Sequence, residues 1–424
     1  MRPLIRVPVP PGAAGLTALI GPLKAALDGS GPAIAPIPTT SMTVSNEYVG
    51  RLIDAVRPDD NDYPLESSDV AAVLTTSGSM GSPRGVLLTA DGLRALDPFV
   101  QTPDAVWIAA LPITSMGGFN VVVRALATGD EPVALPSIGG AEPFTAAAFA
   151  AAVDSCSDRP VHVSLVTAQL RKLLADDRGT EALRACTRIL IGAGPLPDLV
   201  REAAYAAGVQ VTATYGATET SGGCVFNGVP LPGVRVQTTL GPEAVLVISG
   251  PMLAAGYRLE PGLTARYFTP MGFVTTDRGV VDEVGSVTVL GRIDDAVIIG
   301  GVNVSVNAVE RIIEALPEVA AAAVIALAPD HGSTSEPQLV AFIDSAAPDL
   351  ELEGLMSQAV GSGLGRAAIP SRIIRLGDRD NQGNRKNQDN QDNQSDLPML
   401  PNGKVDRAAL ARWARESGPA TWQH

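Results

Sequence analysis

The hydrophobic pattern alternates short β-branched runs with segments of helical periodicity over the middle of the chain. VAAVL, VHVSLV, RILI and VQVTATYG have the length and composition of buried strands. TAQLRKLLADD spaces its leucines as a helix does, and PLPDLVREAAYAAG has Pro197 near its start and Gly208 at its end. This alternation predicts an α/β fold with parallel-type sheets, whose ligands bind beyond the carboxyl ends of the strands.

The pattern changes in the last third of the chain. In SVNAVERIIEALPEV, Asn307 and Glu310 have capping-box spacing before a helical face, while AAAVIALAPD and PQLVAFID have the pattern of strands. We therefore predict a large N-terminal α/β domain at 1–290 and a small C-terminal α+β domain at 291–424. Residues 377–396 contain no aliphatic or aromatic side chain, so this Asn/Gln-rich insert is predicted to be a disordered loop.

Composition argues against several classes of protein. The chain of 424 residues has a net charge of -14, which is unlike a binder of nucleic acid or of anionic membranes. Its three cysteines lack metal-binding spacing and fit a reducing compartment. The proline-rich start is unlike a signal peptide, and no apolar run reaches the roughly 18 residues of a membrane helix. We expect a cytoplasmic protein, and the oligomeric state stays open, a homodimer included.

Small polar residues crowd the segment TTSGSMGSPRG, directly after the strand VAAVL. Glycines permit positive φ angles and hydroxyls add donors, so such a segment can wrap backbone N–H groups around phosphate oxygens. It is not a Walker A loop, because Pro83 stands where that motif needs glycine. From composition alone, a surface turn is an equally good interpretation.

Five stretches in chain order resemble motifs of the acyl-adenylate-forming superfamily, which includes acyl-CoA ligases, nonribosomal adenylation domains and luciferases. They are TTSGSMGSPRG (75–85), YGATET (215–220), TTDRG (275–279), GRIDDAVIIGGVNV (291–304) and PNGKVDR (401–407). One such match is weak evidence, whereas five in order span most of the chain. The segment YGATETSGGCVFNGVPLPGVRV also resembles the 2-succinylbenzoate–CoA ligases of menaquinone biosynthesis.

The resemblance implies a two-step reaction that uses ATP, Mg²⁺ and coenzyme A. A carboxylate, that of 2-succinylbenzoate by the closer resemblance, attacks the α-phosphate of ATP, and pyrophosphate leaves. The thiol of coenzyme A then attacks the acyl-adenylate. Two alternatives stay open: a ligase of the same superfamily with a different acid, and a homologue that binds nucleotide without turning it over.

The resemblance implies that the segment at 75–85 cradles the β and γ phosphates. The residues implied are Thr76, Ser77, Gly78, Ser79 and Gly81. Arg84 stands where the family has lysine, and Met80 stands where it has a second threonine. Arginine also pairs with phosphate, but it is larger and planar, so the exchange is not neutral. Arg84 is the predicted catalytic cation of this segment.

The motif YGATET is implied to bind both metal and nucleotide. Glu219 would hold Mg²⁺, for which a carboxylate oxygen is a suitable ligand, and so take part in catalysis. Tyr215 would pack against adenine, with Gly216 and Thr218 beside it in the motif. A solvated glutamate and a core aromatic are the structural alternatives.

Four further residues are implied to act on the nucleotide and on the domain movement. Asp277 would accept hydrogen bonds from both ribose hydroxyls, and Arg292 would add a cation nearby. Lys404 would bridge the carboxylate and the α-phosphate, where a mobile charge stabilises the transition state. Asp294 matches the hinge about which the small C-terminal domain rotates between the two steps.

The acyl substrate has fewer implied contacts. The family has a histidine in the loop LPITSMGG, where this chain has Ser115 or Met116. Ser115 is the predicted substrate residue of this loop. Arg124 is either a partner for the second carboxylate of the acid or a structural residue. His162 lies in a predicted strand and is expected in the core. The remaining residues predicted to line the acyl pocket are Ser221, Gly222 and Gly223.

Overall fold

The computed structural model describes residues 2–41, 44–76, 83–156, 158–239, 241, 244–293, 295–299, 301–328, 337–376, 397–398 and 405–416. The insert predicted at 377–396 lies outside these ranges. The predicted site residues outside them are Ser77, Gly78, Ser79, Met80, Gly81, Asp294 and Lys404.

The first sheet has five strands in the order β1-β2-β3-β4-β14. These strands are β1 (Leu4–Val9), β2 (Ala33–Pro38), β3 (Val70–Thr76), β4 (Arg84–Thr89) and β14 (Gly256–Tyr257). The first three are parallel, and β4 returns antiparallel to β3. Two helices follow β1 and β2, α1 (Ala13–Leu27) and α2 (Asn46–Val56).

The central sheet has seven strands in the order β11-β10-β9-β8-β7-β5-β6. They are β5 (Val106–Ala109), β6 (Val133–Ala134), β7 (Val161–Leu165), β8 (Arg188–Ile191), β9 (Thr212–Ala217), β10 (Gly222–Phe226) and β11 (Val229–Pro230). Strands β5 to β9 are parallel, whereas β10 is antiparallel to β9. Every residue of β5 and β7 is buried, as expected for a parallel sheet covered on both faces.

Seven helices accompany these strands in the described part of the chain. They are α3 (Ala90–Arg94), α4 (Asp97–Val100), α5 (Met116–Ala127), α6 (Ala146–Asp154), α7 (Thr167–Leu174), α8 (Asp177–Ala185) and α9 (Asp198–Ala206). The predicted α/β architecture with parallel-type sheets is confirmed.

The third sheet is antiparallel. It contains the motif at 275–279 and the first two residues of the motif at 291–304. Its strands are β12 (Arg235–Thr238), β13 (Val245–Ser249), β15 (Phe268–Thr269), β16 (Gly272–Val281) and β17 (Val287–Arg292). The helix α10 (Pro261–Tyr267) precedes β15. Asp277 and Arg292 are opposite each other in β16 and β17.

The C-terminal part has the predicted mixture of helices and strands. Its elements are β18 (Ala296–Ile299), β19 (Val302–Ser305), α11 (Val306–Glu314), β20 (Val319–Leu327), β21 (Gln338–Ser345), α12 (Asp349–Leu364), β22 (Arg372–Arg375) and α13 (Arg407–Glu416). One face of this small sheet packs on α11 and α12, and the other packs on α13.

The predicted capping box of α11 is wrong. The N-cap is Ser305, whose hydroxyl accepts a hydrogen bond from the Ala308 N–H at 3.2 Å. Asn307 lies inside the first turn, and Glu310 accepts from the Val324 N–H at 2.7 Å and pairs with Arg407 at 3.0 Å. A tertiary ion pair therefore uses the carboxylate that the spacing had placed at the helix start.

Candidate active site

The strands β7, β8 and β9 end at one edge of the central sheet, where a short 3-10 turn leads from β9 into β10. Gly216 and Gly223 lie opposite one another in β9 and β10. A Cβ atom on Gly216 would lie 2.1 Å from the Gly222 carbonyl oxygen. Only glycine permits this approach of the two strands, and Gly216 is exposed at the edge.

Glu219 is half-buried in the turn between β9 and β10. Its Oε1 accepts a hydrogen bond from the Tyr257 hydroxyl at 2.9 Å, and its carbonyl oxygen accepts from the Ala254 N–H at 2.9 Å. Burial and the negative charge of Glu219 raise the pKa of Tyr257, which the positive charge of Arg84 partly opposes. The tyrosine therefore stays protonated and fixes the orientation of the carboxylate.

Tyr257 is a residue of this site that the sequence patterns missed. It lies on β14, which pairs with β4 and so closes the first sheet. No local pattern in AAGYRLE marks it, because its contact with Glu219 joins residues 38 positions apart in the chain. The contact depends on β14 reaching β4, which the sequence analysis did not predict.

A carboxylate held in this way fits a divalent cation bound mainly by phosphates and water. Mg²⁺ is usually bound by one or two carboxylates together with substrate phosphates. No group of three or more His, Cys, Asp and Glu side chains that could hold a metal occurs within the described ranges.

A hydrogen bond between Tyr215 and Asp277 joins the third sheet to the carboxyl edge of the central sheet. The Tyr215 hydroxyl donates to Asp277 Oδ2 at 2.7 Å, and Arg292 Nη1 lies 3.9 Å from Asp277 Oδ1. Burial and the Asp277 carboxylate raise the pKa of Tyr215, so its hydroxyl remains a donor. Asp277 is further held by its own N–H, which donates to the Thr275 hydroxyl at 3.0 Å.

Thr76 and Arg84 flank the predicted phosphate segment. They are opposite each other at the ends of β3 and β4, so the intervening residues connect two adjacent strands. Both side chains are partly exposed. β4 also pairs with β14, which carries the tyrosine that contacts Glu219.

The predicted acyl residues fall into two groups. Ser115 is the N-cap residue of α5, and its hydroxyl donates to the Pro112 carbonyl at 2.7 Å. Ser221 and Gly222 follow the 3-10 turn that contains Glu219, and they have positive φ angles of 47° and 100°. Asn120 of α5 joins these groups, because its side-chain amide donates to the Ser221 carbonyl at 2.7 Å. Sequence patterns gave no reason to single out Asn120.

Arg124 lies elsewhere. Its guanidinium stacks over the Trp107 ring at 5.4 Å and lies 3.8 Å from Asp97, near the amino-terminal end of β5. This placement favours the structural alternative over contact with substrate. His162 is fully buried beside the Trp107 ring, which confirms its expected place in the core.

The fold, the residues at the carboxyl edge of the central sheet and a family comparison together identify the class of protein. The AMP-binding enzyme family matches residues 24–257, and the chain belongs to that family. The match includes β3, β4, Tyr215, Glu219 and Tyr257. The resemblance to the acyl-adenylate-forming superfamily is thereby confirmed.

Individual relatives are consistent with this class. The chain is 35% identical over 412 residues to the "Probable 2-succinylbenzoate--CoA ligase" of Mycobacterium tuberculosis (strain CDC 1551 / Oshkosh), with 95% of this chain and 97% of that protein covered. Its fold is similar to that of ATP-bound MatB from Rhodopseudomonas palustris, with a TM-score of 0.74 and 22% identity over 99% of this chain and 90% of that one. A variant of E. coli MenE with bound OSB-AMS gives a TM-score of 0.70 and 20% identity over 98% and 89% of the two chains.

None of the helices in the described ranges has the length and apolar character needed to cross a membrane.

Proposed function

We propose that the chain is an ATP-dependent acid–CoA ligase whose acid is 2-succinylbenzoate. The carboxylate attacks the α-phosphorus of ATP to give the acyl-adenylate and pyrophosphate. The thiol of coenzyme A then attacks the acyl carbon, and AMP leaves. The convergence of Tyr215, Glu219 and Asp277 at one sheet edge carries the proposal. The mycobacterial relative, matched over 95% of this chain and 97% of its own length, supports the choice of acid.

The nucleotide would lie against Tyr215 and Asp277. The aromatic ring offers a face for adenine, while its hydroxyl keeps the Asp277 carboxylate in place. A carboxylate can accept several hydrogen bonds, so Asp277 can serve Tyr215 and the ribose hydroxyls together. Gly216 and Thr218 would contribute backbone groups, and Arg292 would place a partly exposed cation nearby.

The phosphates would be held by Mg²⁺ and by cationic and hydroxyl groups. Glu219 would bind Mg²⁺, which neutralises negative charge on the phosphates when it is bound. Thr76 and Arg84 would contact phosphate oxygens from the ends of β3 and β4, together with the predicted residues between them.

Lys404 and Asp294 keep the roles predicted from their motifs. We expect Lys404→Ala to lose adenylation and still convert supplied acyl-adenylate with coenzyme A. We expect Asp294→Pro to retain adenylation and lose thioester formation, because proline restricts the backbone rotation of a hinge. Full ligation by the proline variant would remove Asp294 from the hinge position.

The acid would be bound between Ser115 on one side and Ser221, Gly222 and Gly223 on the other. Ser115 lies in the loop where the family has histidine, and its hydroxyl would have to turn away from the Pro112 carbonyl to donate to the acid carboxylate. Backbone groups at Ser221, Gly222 and Gly223 would complete the contacts to the acid. We place the enzyme in the cytoplasm, with ATP and coenzyme A as small-molecule partners. Neither nucleic acid nor a membrane is proposed as a partner.

The test is mass detection of the thioester product. Purified protein is incubated with ATP, Mg²⁺, coenzyme A and 2-succinylbenzoate, with matched reactions that omit ATP or replace the acid with benzoate or succinate. The proposal predicts 2-succinylbenzoyl-CoA and AMP only in the complete reaction. A thioester from a different acid would identify another ligase of the family. AMP binding without any thioester would favour the homologue that does not turn over.

A further inference from the structure

Asn120 is a buried polar residue in an apolar stretch of α5. It lies among Phe119, Val121 and Val122, and only 5% of its surface is exposed. Its Nδ2 donates to the Ser221 carbonyl at 2.7 Å, a contact between residues 101 positions apart. A buried carbonyl that loses such a donor is left unsatisfied, so this single hydrogen bond strongly favours one position of the turn.

The turn that Asn120 contacts needs such support. Ser221 has φ 47° and ψ 34°, a left-handed conformation that is unfavourable for a residue with a side chain. Gly222 follows with φ 100°. The Thr220 hydroxyl bonds to the Ala217 N–H and the Gly222 carbonyl, both at 2.8 Å, which closes the turn on itself. Asn120 is the side chain that ties the closed turn to α5.

Packing shows that the contact is specific. A Cβ atom on Gly222 would lie 2.2 Å from Asn120 Nδ2. The amide therefore rests directly on the glycine backbone, and a larger residue at either position would separate α5 from the turn. The same helix begins at Ser115, so Asn120 joins the two groups of residues assigned to the acid.

We propose that Asn120 is a positioning residue that holds Ser221, Gly222 and Gly223 in place for the acid. The inference rests on the proposed function, in which these three residues line the acyl pocket. Glu219, in the first half of the same turn, has separate anchors in Tyr257 and Ala254. Loss of the Asn120 contact therefore moves the acyl side of the turn while the side that faces the nucleotide stays anchored.

The experiment compares two leucine variants, each of which removes one side-chain hydrogen bond that involves α5. Asn120→Leu keeps the size of the side chain and removes the donor to Ser221. Gln101→Leu removes a similar amide donor, which bonds to the Arg124 carbonyl at 2.6 Å near the other end of α5. Each variant is compared with the parent enzyme for the KM of the acid, the KM of ATP and the melting temperature.

We expect Asn120→Leu to raise the KM of the acid about tenfold while the KM of ATP stays within about twofold. Gln101→Leu should change both KM values by less than about twofold, even where its melting temperature falls as far. Parallel increases in both KM values, or matching behaviour of the two variants, would overturn the positioning role.

A second variant guards against poor folding of the first. Asn120→Ala removes the amide donor to Ser221 without adding a charge or a branched side chain. It should also raise the KM of the acid, and an unchanged KM in a folded alanine variant would contradict the proposal. Failure of the parent enzyme to use 2-succinylbenzoate would instead contradict the proposed function, which the parent reaction tests separately. The KM comparison is then made with whichever acid the parent accepts.

Discussion

The two edges of the central sheet both carry aromatic and charged side chains, but these are arranged differently. At the carboxyl edge, Tyr215, Glu219 and Asp277 are each partly exposed, and each carboxylate accepts a hydrogen bond from a tyrosine. At the amino-terminal edge, Arg124 and Asp97 are 6% and 8% exposed. The first arrangement leaves charged groups in contact with solvent, where a ligand can reach them, and the second does not.

Burial changes the ionisation of Asp97 and Arg124 at the amino-terminal edge of the sheet. It raises the pKa of Asp97 to about 6 and lowers the pKa of Arg124 to about 10, in each case against the attraction of the other. Burial and the charges of Arg188 and Arg124 lower the pKa of His162 to about 4, so its ring is neutral at physiological pH. The contribution of these buried groups to the stability of the fold therefore changes with pH. They offer no surface to a substrate.

Charge alone therefore does not mark a site in this sheet. Arg292 was predicted to act on the nucleotide, and Arg124 was predicted to be either a substrate contact or a structural residue. Arg292 is 43% exposed beside Asp277, whereas Arg124 is enclosed between Trp107 and Asp97. The position of each residue relative to the strand ends separates them.

The largest effect is expected from Glu219→Gln. Loss of the carboxylate charge should reduce exchange of pyrophosphate into ATP about a thousandfold, equivalent to about 4 kcal/mol of transition-state stabilisation. Glu202→Gln, on the exposed face of α9, is the matched control and should keep full exchange. Equal rates for the two variants would show that the carboxyl edge is not the catalytic one.

Arg124→Met should affect stability rather than substrate binding. Removal of one partner of a buried ion pair leaves Asp97 unpaired and should lower the free energy of unfolding by about 3 kcal/mol at pH 7. Denaturant unfolding measures this change. The KM of the acid, measured at a temperature where the variant is folded, should be unchanged. A variant of normal stability with a raised KM would restore Arg124 as a substrate contact.

Unfolding of Asp97→Asn, measured over a range of pH, tests whether burial perturbs Asp97. The pKa of Asp97 is raised from 3.8 to about 6 on folding, so the folded protein retains a proton that the unfolded chain releases in this window. The stability of the parent relative to the variant should therefore fall by about 2 kcal/mol between pH 4 and pH 7, and stay level above it. Parallel stability profiles of the two proteins would show that Asp97 is not perturbed.

The smallest effect is expected from Asp277→Asn. The amide keeps the shape but weakens the acceptor for Tyr215 and for ribose, so the KM of ATP should rise about tenfold, or about 1.4 kcal/mol. Glu283→Gln, an exposed carboxylate in the turn between β16 and β17, serves as the control. An unchanged KM of ATP in the asparagine variant would remove Asp277 from the nucleotide site.

The sequence predicted the elements of the central sheet better than it predicted the contacts between sheets. Strand and helix periodicity located β7 to β9 with the helices between them, because parallel strands and amphipathic helices follow local rules. Motifs located Tyr215, Glu219 and Asp277. Tyr257 and Asn120 escaped notice because their contacts depend on how β14 and α5 pack, which no local pattern records.

The α11 capping box failed for a related reason. The helix starts two residues earlier than the Asn307–Glu310 spacing implied, because Ser305 is the N-cap. Glu310 instead pairs with Arg407, a tertiary contact that the local spacing does not record. Arg124 is a second case, because its position beside Trp107 and Asp97 depends on tertiary packing that no local pattern records.

Isotope exchange between pyrophosphate and ATP, with 2-succinylbenzoate and without coenzyme A, tests the central claim most directly. It reports formation of the acyl-adenylate at the carboxyl edge and requires neither the second step nor the thiol. The account predicts exchange that depends on that acid, in the parent protein and in the Glu202→Gln control, and its loss in Glu219→Gln. Exchange that persists in Glu219→Gln, or its absence in a parent protein that binds AMP, would contradict the account.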